Sequence, residues 1–141
     1  MKLLHEEITE SIIKSYYKVY NKLGYGFLEK VYENSMAFEL RKAGLEVKCQ
    51  HPISVLYENE IVGEYFADII VNDVVVIELK ATKEISEENE CQLINYLKAT
   101  NIELGLLMNF GKVAEYKRKI FLNRYKPVSY THLTLPTNRE V

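Results

Sequence analysis

The sequence predicts an α/β (α+β) domain in which a central mixed sheet is flanked by helices. Three observations carry this expectation. Apolar residues recur at helical spacing over two N-terminal segments. The period then changes to two over three segments joined by turn residues, and a further helical segment leads into a short, wholly apolar run. At 141 residues the chain makes one domain, long enough to bury roughly 68% of its unfolded surface. Hydrophobic residues at 48% and charged residues at 27% are ordinary for a globular protein and exclude disordered or collagen-like classes. No run approaches the ~18 apolar residues of a membrane span.

Each element follows in order. From Glu6 to Leu23 the residues Ile8, Ile12, Ile13, Tyr16, Val19, Tyr20 and Leu23 mark an amphipathic helix that Gly24 stops. After the Gly24-Tyr25-Gly26 link a second helix is expected from Phe27 to Ala43, with Leu28, Val31, Tyr32, Met36, Leu40 and Ala43 inward and Gly44 as its cap. Residues 45–57 read as a strand interrupted near Pro52, and Glu58-Asn59-Glu60 as a turn. Residues 61–71 form the next strand, Asn72-Asp73 a tight turn, and 74–81 the third strand. Ser86 is an N-cap, with Glu87, Glu88 and Glu90 complementing the dipole of a helix that runs to Ala99. Residues 104–110 are a buried strand and 113–122 a more polar one. A crossover through a helix returns a strand parallel to its partner, so 104–110 should lie parallel to 74–81.

Charge and cysteine usage bound the function. The net charge of −2 argues against a protein that grips nucleic acid by bulk charge. Residues 112–126 nevertheless hold six basic groups (Lys112, Lys117, Arg118, Lys119, Arg124, Lys126) against Glu115 alone. This basic ribbon is read either as a local phosphate site or as an edge strand guarded by lysines. Cys49 and Cys91 have no metal-ligand spacing, and the N-terminus has no apolar leader region, so a cytoplasmic protein is expected. The folded domain is expected to be 1–126. Residues 127–141 lack any period, and SYTHLTLPTNREV resembles translated sequencing-adapter read-through. They are expected to be a non-native, poorly ordered tail.

The residues that carry chemistry are those that are costly where they stand. In the central-strand run VVVIELKA, Glu78 and Lys80 interrupt apolar residues that should be covered on both faces. Asp68 is the same anomaly in FADIIV on the preceding strand. Unpaired buried charges cost several kcal/mol each, so two acids and a lysine on adjoining strands suggest a hard-cation site beside a base or phosphate-contacting group. The competing reading is a buried salt bridge from Lys80 to one acid. It leaves one negative charge over unless a carboxyl is protonated. A two-residue hairpin at Asn72-Asp73 would set Asp68 opposite Ile77 and put Asp68 and Glu78 on opposite faces. Cooperation on one ion therefore requires a three-residue loop or a bulge. Gln92 and Tyr96 lie four apart on one helical face, each able to hold a phosphate, a water or the lysine. Glu29 opens the second helix, with Tyr32 and Glu33 one turn on; a first-turn glutamate serves equally as a complement to the helix dipole. The three histidines are scattered, and no GxSxG, P-loop or GxGxxG occurs.

Asp68, then Glu78-Leu79-Lys80, then Gln92-Leu93-Ile94-Asn95-Tyr96 resemble the PD-(D/E)XK nuclease superfamily with the QxxxY element of its RecB-like exonuclease branch. Gly26-Phe27-Leu28-Glu29-Lys30-Val31-Tyr32 resembles the signature of the GxxExxY protein family within it, and the resemblance spans residues 6–122. It implies a restriction-endonuclease-like αβββαβ core. It also implies Asp68, Glu78 and the carbonyl of Leu79 as metal ligands, Glu29 as a further acidic ligand, and Lys80 orienting or activating the attacking water. Gln92 and Tyr96 would support the site and the nucleic-acid backbone. The implied cofactor is Mg²⁺ (or Mn²⁺), and the implied partner is nucleic acid, DNA in the first instance. No membrane is implied, and a homodimer or larger complex is compatible. Family members often carry histidine at the positions of Tyr20 and, nearby, Asn89, where this chain does not. Two functional readings follow: a metal-dependent nuclease, and a catalytically silent nuclease-fold module that binds nucleic acid or a protein.

Overall fold

The computed structural model describes residues 3–126, so the tail expected over 127–141 lies outside the described residues. Two helices come first, α1 (Glu6–Leu23) and α2 (Glu29–Lys42). A meander follows: β1 (Val47–Tyr57), β2 (Glu60–Val71) and β3 (Val75–Lys80). Then come α3 (Glu87–Lys98), β4 (Leu104–Phe110), β5 (Ala114–Ile120) and a 3₁₀ turn at Asn123–Tyr125. The five strands form one sheet in the order β1-β2-β3-β4-β5. β3 and β4 are parallel, the other pairs antiparallel. This is the mixed sheet flanked by helices that the sequence predicts.

Two apolar cores sandwich the sheet. Ile12, Tyr16 and Val19 of α1 with Tyr32, Met36 and Leu40 of α2 cover one face, on Ile69, Val71, Ile77, Leu79 and Met108. Leu93, Tyr96 and Leu97 of α3 cover the other, on Ile53, Ala67, Ile70, Val76 and Leu107. α3 sits close because β4 carries Gly105, where a Cβ would lie 2.7 Å from Leu93 Cδ1. Its start is fixed by a reciprocal cap: Ser86 Oγ accepts the Asn89 N–H, and Asn89 Oδ1 accepts the Ser86 N–H.

Two local expectations are corrected, and one open choice narrows. Pro52 does not interrupt β1, because an edge strand pairs on one side only and tolerates a residue without an N–H. The irregularities fall on either side of it, at Gln50, whose φ is 51°, and between Val55 and Leu56, where the register with β2 shifts. In α2, Leu28, Val31 and Ala43 are exposed rather than inward, since the buried stripe runs along Tyr32, Glu33, Met36, Ala37 and Leu40. The basic ribbon is largely spent within the fold. Lys117 and Lys119 both pair with Glu90 of α3, at 3.0 and 2.6 Å, and Arg118 donates to the carbonyl of Leu4. Lys126 is 7% exposed and donates to the carbonyls of Thr100 and Ile102. β5 is an edge strand with lysines, and its charge favours that reading over a phosphate site.

Candidate active site

The site begins with a turn. Asn72 and Asp73 adopt positive φ, and Val74 donates its N–H back to Val71, so the connection from β2 to β3 has three residues. The register Ile69↔Ile77, Ile70↔Val76, Val71↔Val75 follows, and extended by one residue it sets Asp68 opposite Glu78. There the backbone ladder stops and carboxylates replace it. Glu78 Oε2 accepts the N–H of Asp68 at 2.9 Å, and Asp68 Oδ2 accepts the N–H of Leu79 at 2.8 Å.

A second feature places Asp68. Strand side chains should alternate, so residues 67 and 69 should share a face. Instead Ala67 faces the α3 core and Ile69 the core under α1 and α2. β1 makes the same exchange, from Cys49 on the α1–α2 side to Ile53 on the α3 side. Both strands thus swap faces at the paired positions Gln50 and Asp68, where the β1–β2 ladder skips a pair. A left-handed backbone at a residue other than glycine is strained, and here it aims the Gln50 amide. Its Nε2 donates to Glu33 Oε1 of α2 at 2.7 Å and to Asp68 Oδ1 at 3.3 Å.

Glu78 and Lys80 alternate with Ile77 and Leu79, which belong to the core under α1 and α2, so they face the α3 side. Glu78 is 6% exposed. Burial, then the charge of Asp68, pushes its carboxyl up to about 8, against the Asp68 N–H and Lys80. Asp68 is also raised, by burial first, with the Leu79 N–H and the Gln50 amide opposing. Lys80 makes no hydrogen bond or ion pair among the described residues, yet its charge lowers the pKa of Glu29, Asp68 and Glu78 alike. The salt bridge from Lys80 to one acid is therefore not formed.

Glu29 stands at the first turn of α2. Burial raises its pKa, as do the charges of Asp68 and Glu33, while Lys80 lowers it. Its placement is held by Tyr32, whose hydroxyl donates to the Gly24 carbonyl at 2.6 Å and accepts the Phe27 N–H at 3.2 Å. The Tyr32 ring stacks on Phe110 with centroids 4.0 Å apart, and Gly26 takes a φ of 110° that favours glycine. On α3, Gln92 Nε2 donates to the Tyr96 hydroxyl at 2.9 Å. Burial and the charges of Glu78 and Asp68 push the Tyr96 phenol up to about 12. Among the described hydrogen bonds, neither Gln92 nor the Tyr96 hydroxyl reaches the acids, which act on Tyr96 through their charge alone.

The two positions where histidine was noted as absent are structural. Tyr20 OH lies 2.7 Å from the carbonyls of both Gly111 and Lys112, and Asn89 is the capping residue already described. Sequence reasoning missed the part played by Gln50 and Glu33. Glu33, 5% exposed, also accepts Lys30 Nζ at 2.9 Å. Its position one turn beyond Glu29, on the stripe of Tyr32 and Met36, was a usable signal. For Gln50 no local pattern announces the bend.

The donor set fits a hard divalent cation. One buried carboxylate, Glu78, and one half-buried, Asp68, outnumber the one lysine beside them, and Glu78 Oε1 has no hydrogen-bond partner among the described residues. Mg²⁺-like ions are content with one or two carboxylates plus water and phosphate oxygens. Among the described residues, however, no group of three or more Asp, Glu, His or Cys is arranged to hold a metal ion. Glu29 at the start of α2 is close enough to Lys80 and Asp68 for both charges to act on its carboxyl, Lys80 lowering its pKa and Asp68 raising it. Among the described residues no helix is long and apolar enough to cross a membrane.

A family model described as the PD-(D/E)XK nuclease superfamily matches residues 6–120. No curated protein and no solved structure matches the chain.

Proposed function

This chain belongs to the PD-(D/E)XK nuclease superfamily, and on that premise we propose that it is a metal-dependent nuclease hydrolysing phosphodiester bonds of nucleic acid, with DNA as the first substrate to test. The observation that carries the reading is that Glu78 accepts the Asp68 N–H and Asp68 the Leu79 N–H, beside a Lys80 that has no partner among the described residues. A fold that needed only stability would replace these groups with apolar ones, since burying unmatched charge is costly.

Asp68 and Glu78 are the residues that would hold Mg²⁺ or Mn²⁺, with the Leu79 carbonyl as the neutral donor. Such an ion, when bound, supplies neutralising charge at the attacked phosphate and acidifies a water. Lys80 holds the attacking water or a phosphate oxygen from the α3 side. The backbone N–H groups of Asp68 and Leu79 fix one oxygen of each carboxylate, so the other oxygens are presented in a set direction. Glu29 balances the Lys80 charge, and the hydrogen-bonded Gln92–Tyr96 pair would support the site and the nucleic-acid backbone. The segment Gly26–Tyr32, in which Tyr32 pins the link before Glu29, supports placing the chain with GxxExxY proteins.

A second reading has one observation in its favour. Among the described residues no three-ligand group is assembled, as suits a silent module that binds nucleic acid or protein. A cleavage assay on single- and double-stranded DNA and RNA, with Mg²⁺ or Mn²⁺ against chelator, separates the two. Metal-dependent cutting abolished by Asp68→Asn supports the enzyme; no cutting under any condition supports the silent module.

A further inference from the structure

Beside the acids, between the β1–β2 hairpin and α3, lies a cleft of about 230 Å³ lined by Val55, Tyr65, Gln92, Asn95, Tyr96, Lys98 and Ala99. It is smaller than the roughly 300 Å³ lower bound of drug-sized sites, a scale that suits one planar ring system. Tyr65 is 46% exposed, yet its ring is held. The ring of Tyr96 lies 5.7 Å away by centroid, and Gly63, where a Cβ would come within 3.5 Å of the Tyr65 ring, leaves room beside it. An aromatic ring that is fixed and open on one side is a stacking platform.

We propose that this cleft receives one unpaired nucleobase of the substrate strand, stacked on Tyr65, and that the nuclease therefore prefers single-stranded or frayed nucleic acid to blunt duplex. The inference rests on the nuclease reading above. A base inside a duplex must first be unpaired and flipped out of the stack, at a free-energy cost that an unpaired base does not carry. Asn95 and Gln92 supply amide donors and acceptors for a base edge. Lys98 keeps its ammonium over the Phe121 ring at 5.6 Å, at the margin of the cleft, where a backbone phosphate would meet it. Tyr96 belongs to both places, since it lines the cleft while its phenol responds to Glu78 and Asp68. Tyr65 stands three residues before Asp68 on β2, about 10 Å along the strand, so a strand seated in the cleft passes the acids.

The test is oligonucleotide binding by fluorescence anisotropy with chelator present, paired with cleavage in Mg²⁺ or Mn²⁺. The parent, Tyr65→Phe and Tyr65→Leu are compared on a short single strand, on its blunt duplex, and on single strands carrying one abasic position at successive sites. The expected result is tighter binding and faster cutting of the single strand. Tyr65→Leu should weaken single-strand binding roughly 10- to 100-fold, while Tyr65→Phe keeps it. One abasic position, a fixed number of nucleotides from the cut, should reproduce the loss with the parent protein. If the parent cuts nucleic acid but tolerates every abasic position, and Tyr65→Leu binds and cuts as the parent does, the cleft is not a base site and only this inference falls. If the parent cuts nothing and binds nothing, the nuclease reading itself falls.

Discussion

The carboxylate of Glu78 accepts the backbone N–H of Asp68 across two neighbouring strands at 2.9 Å. Each of these residues therefore does two things. It completes the sheet where the ladder ends, and it holds its other oxygen away from that bond: Asp68 Oδ1 accepts from the Gln50 amide at 3.3 Å, and Glu78 Oε1 has no hydrogen-bond partner among the described residues. Asp68 answers by accepting the N–H of Leu79, so the two acids and the backbone between them form one hydrogen-bonded unit.

This unit has a predictable response to pH. The Glu78 carboxyl is pushed from 4.5 up to about 8 in the folded, metal-free protein. Between those values the folded chain holds a proton that the unfolded chain has released, so stability falls as pH rises through the window and levels off above it. The total loss is on the order of a few kcal/mol. Glu78→Gln should flatten the curve and leave the variant more stable than the parent at pH 8. Urea denaturation in chelator at pH 5, 6.5 and 8 checks it; a parent whose stability rises over this range would contradict the buried-acid account.

Lys80→Ala should separate binding from chemistry. The metal-holding oxygens stay in place, so calorimetric titration should give an affinity no weaker than the parent's. The cleavage rate should fall by roughly 10²- to 10⁴-fold, because the water or phosphate loses its positioning group. Equal losses in both measurements would make Lys80 a structural partner of the acids instead.

Tyr32→Phe removes one hydroxyl that serves two backbone groups, the Gly24 carbonyl and the Phe27 N–H. Stability should drop by about 1–2 kcal/mol. If the link positions Glu29 for function, cleavage should fall further than a stability change alone explains. Activity unchanged in folded Tyr32→Phe would leave the link with a purely architectural role.

Much of this architecture was legible because each element advertises its own period. The helical stripe of α1, the Ser86 cap and the apolar run of β4 all stand where their patterns put them. Asp68, Glu78 and Lys80 were legible for a different reason, namely that charged groups on a covered sheet are conspicuous. The register joining the acids was legible only as a condition, because Asn72-Asp73 is compatible with two- and three-residue loops and Val74 settles the matter by its bond to Val71. Gln50 was not legible. Its left-handed backbone arises from two strands bending together, and that long-range fact leaves no trace in the residues beside it. Leu28 and Val31 misled because α2 turns a charged residue, Glu33, toward the interior and leaves apolar ones outside.

The central claim is that Asp68 and Glu78 form a metal site that cuts nucleic acid, and calorimetric Mg²⁺ and Mn²⁺ titration run beside a cleavage assay on the parent, Asp68→Asn and Glu78→Gln tests it most directly. The account predicts that the parent binds metal and cuts, and that both variants fold at least as stably without metal, bind it far more weakly and do not cut. Variants that bind metal as tightly as the parent and still cut would contradict it.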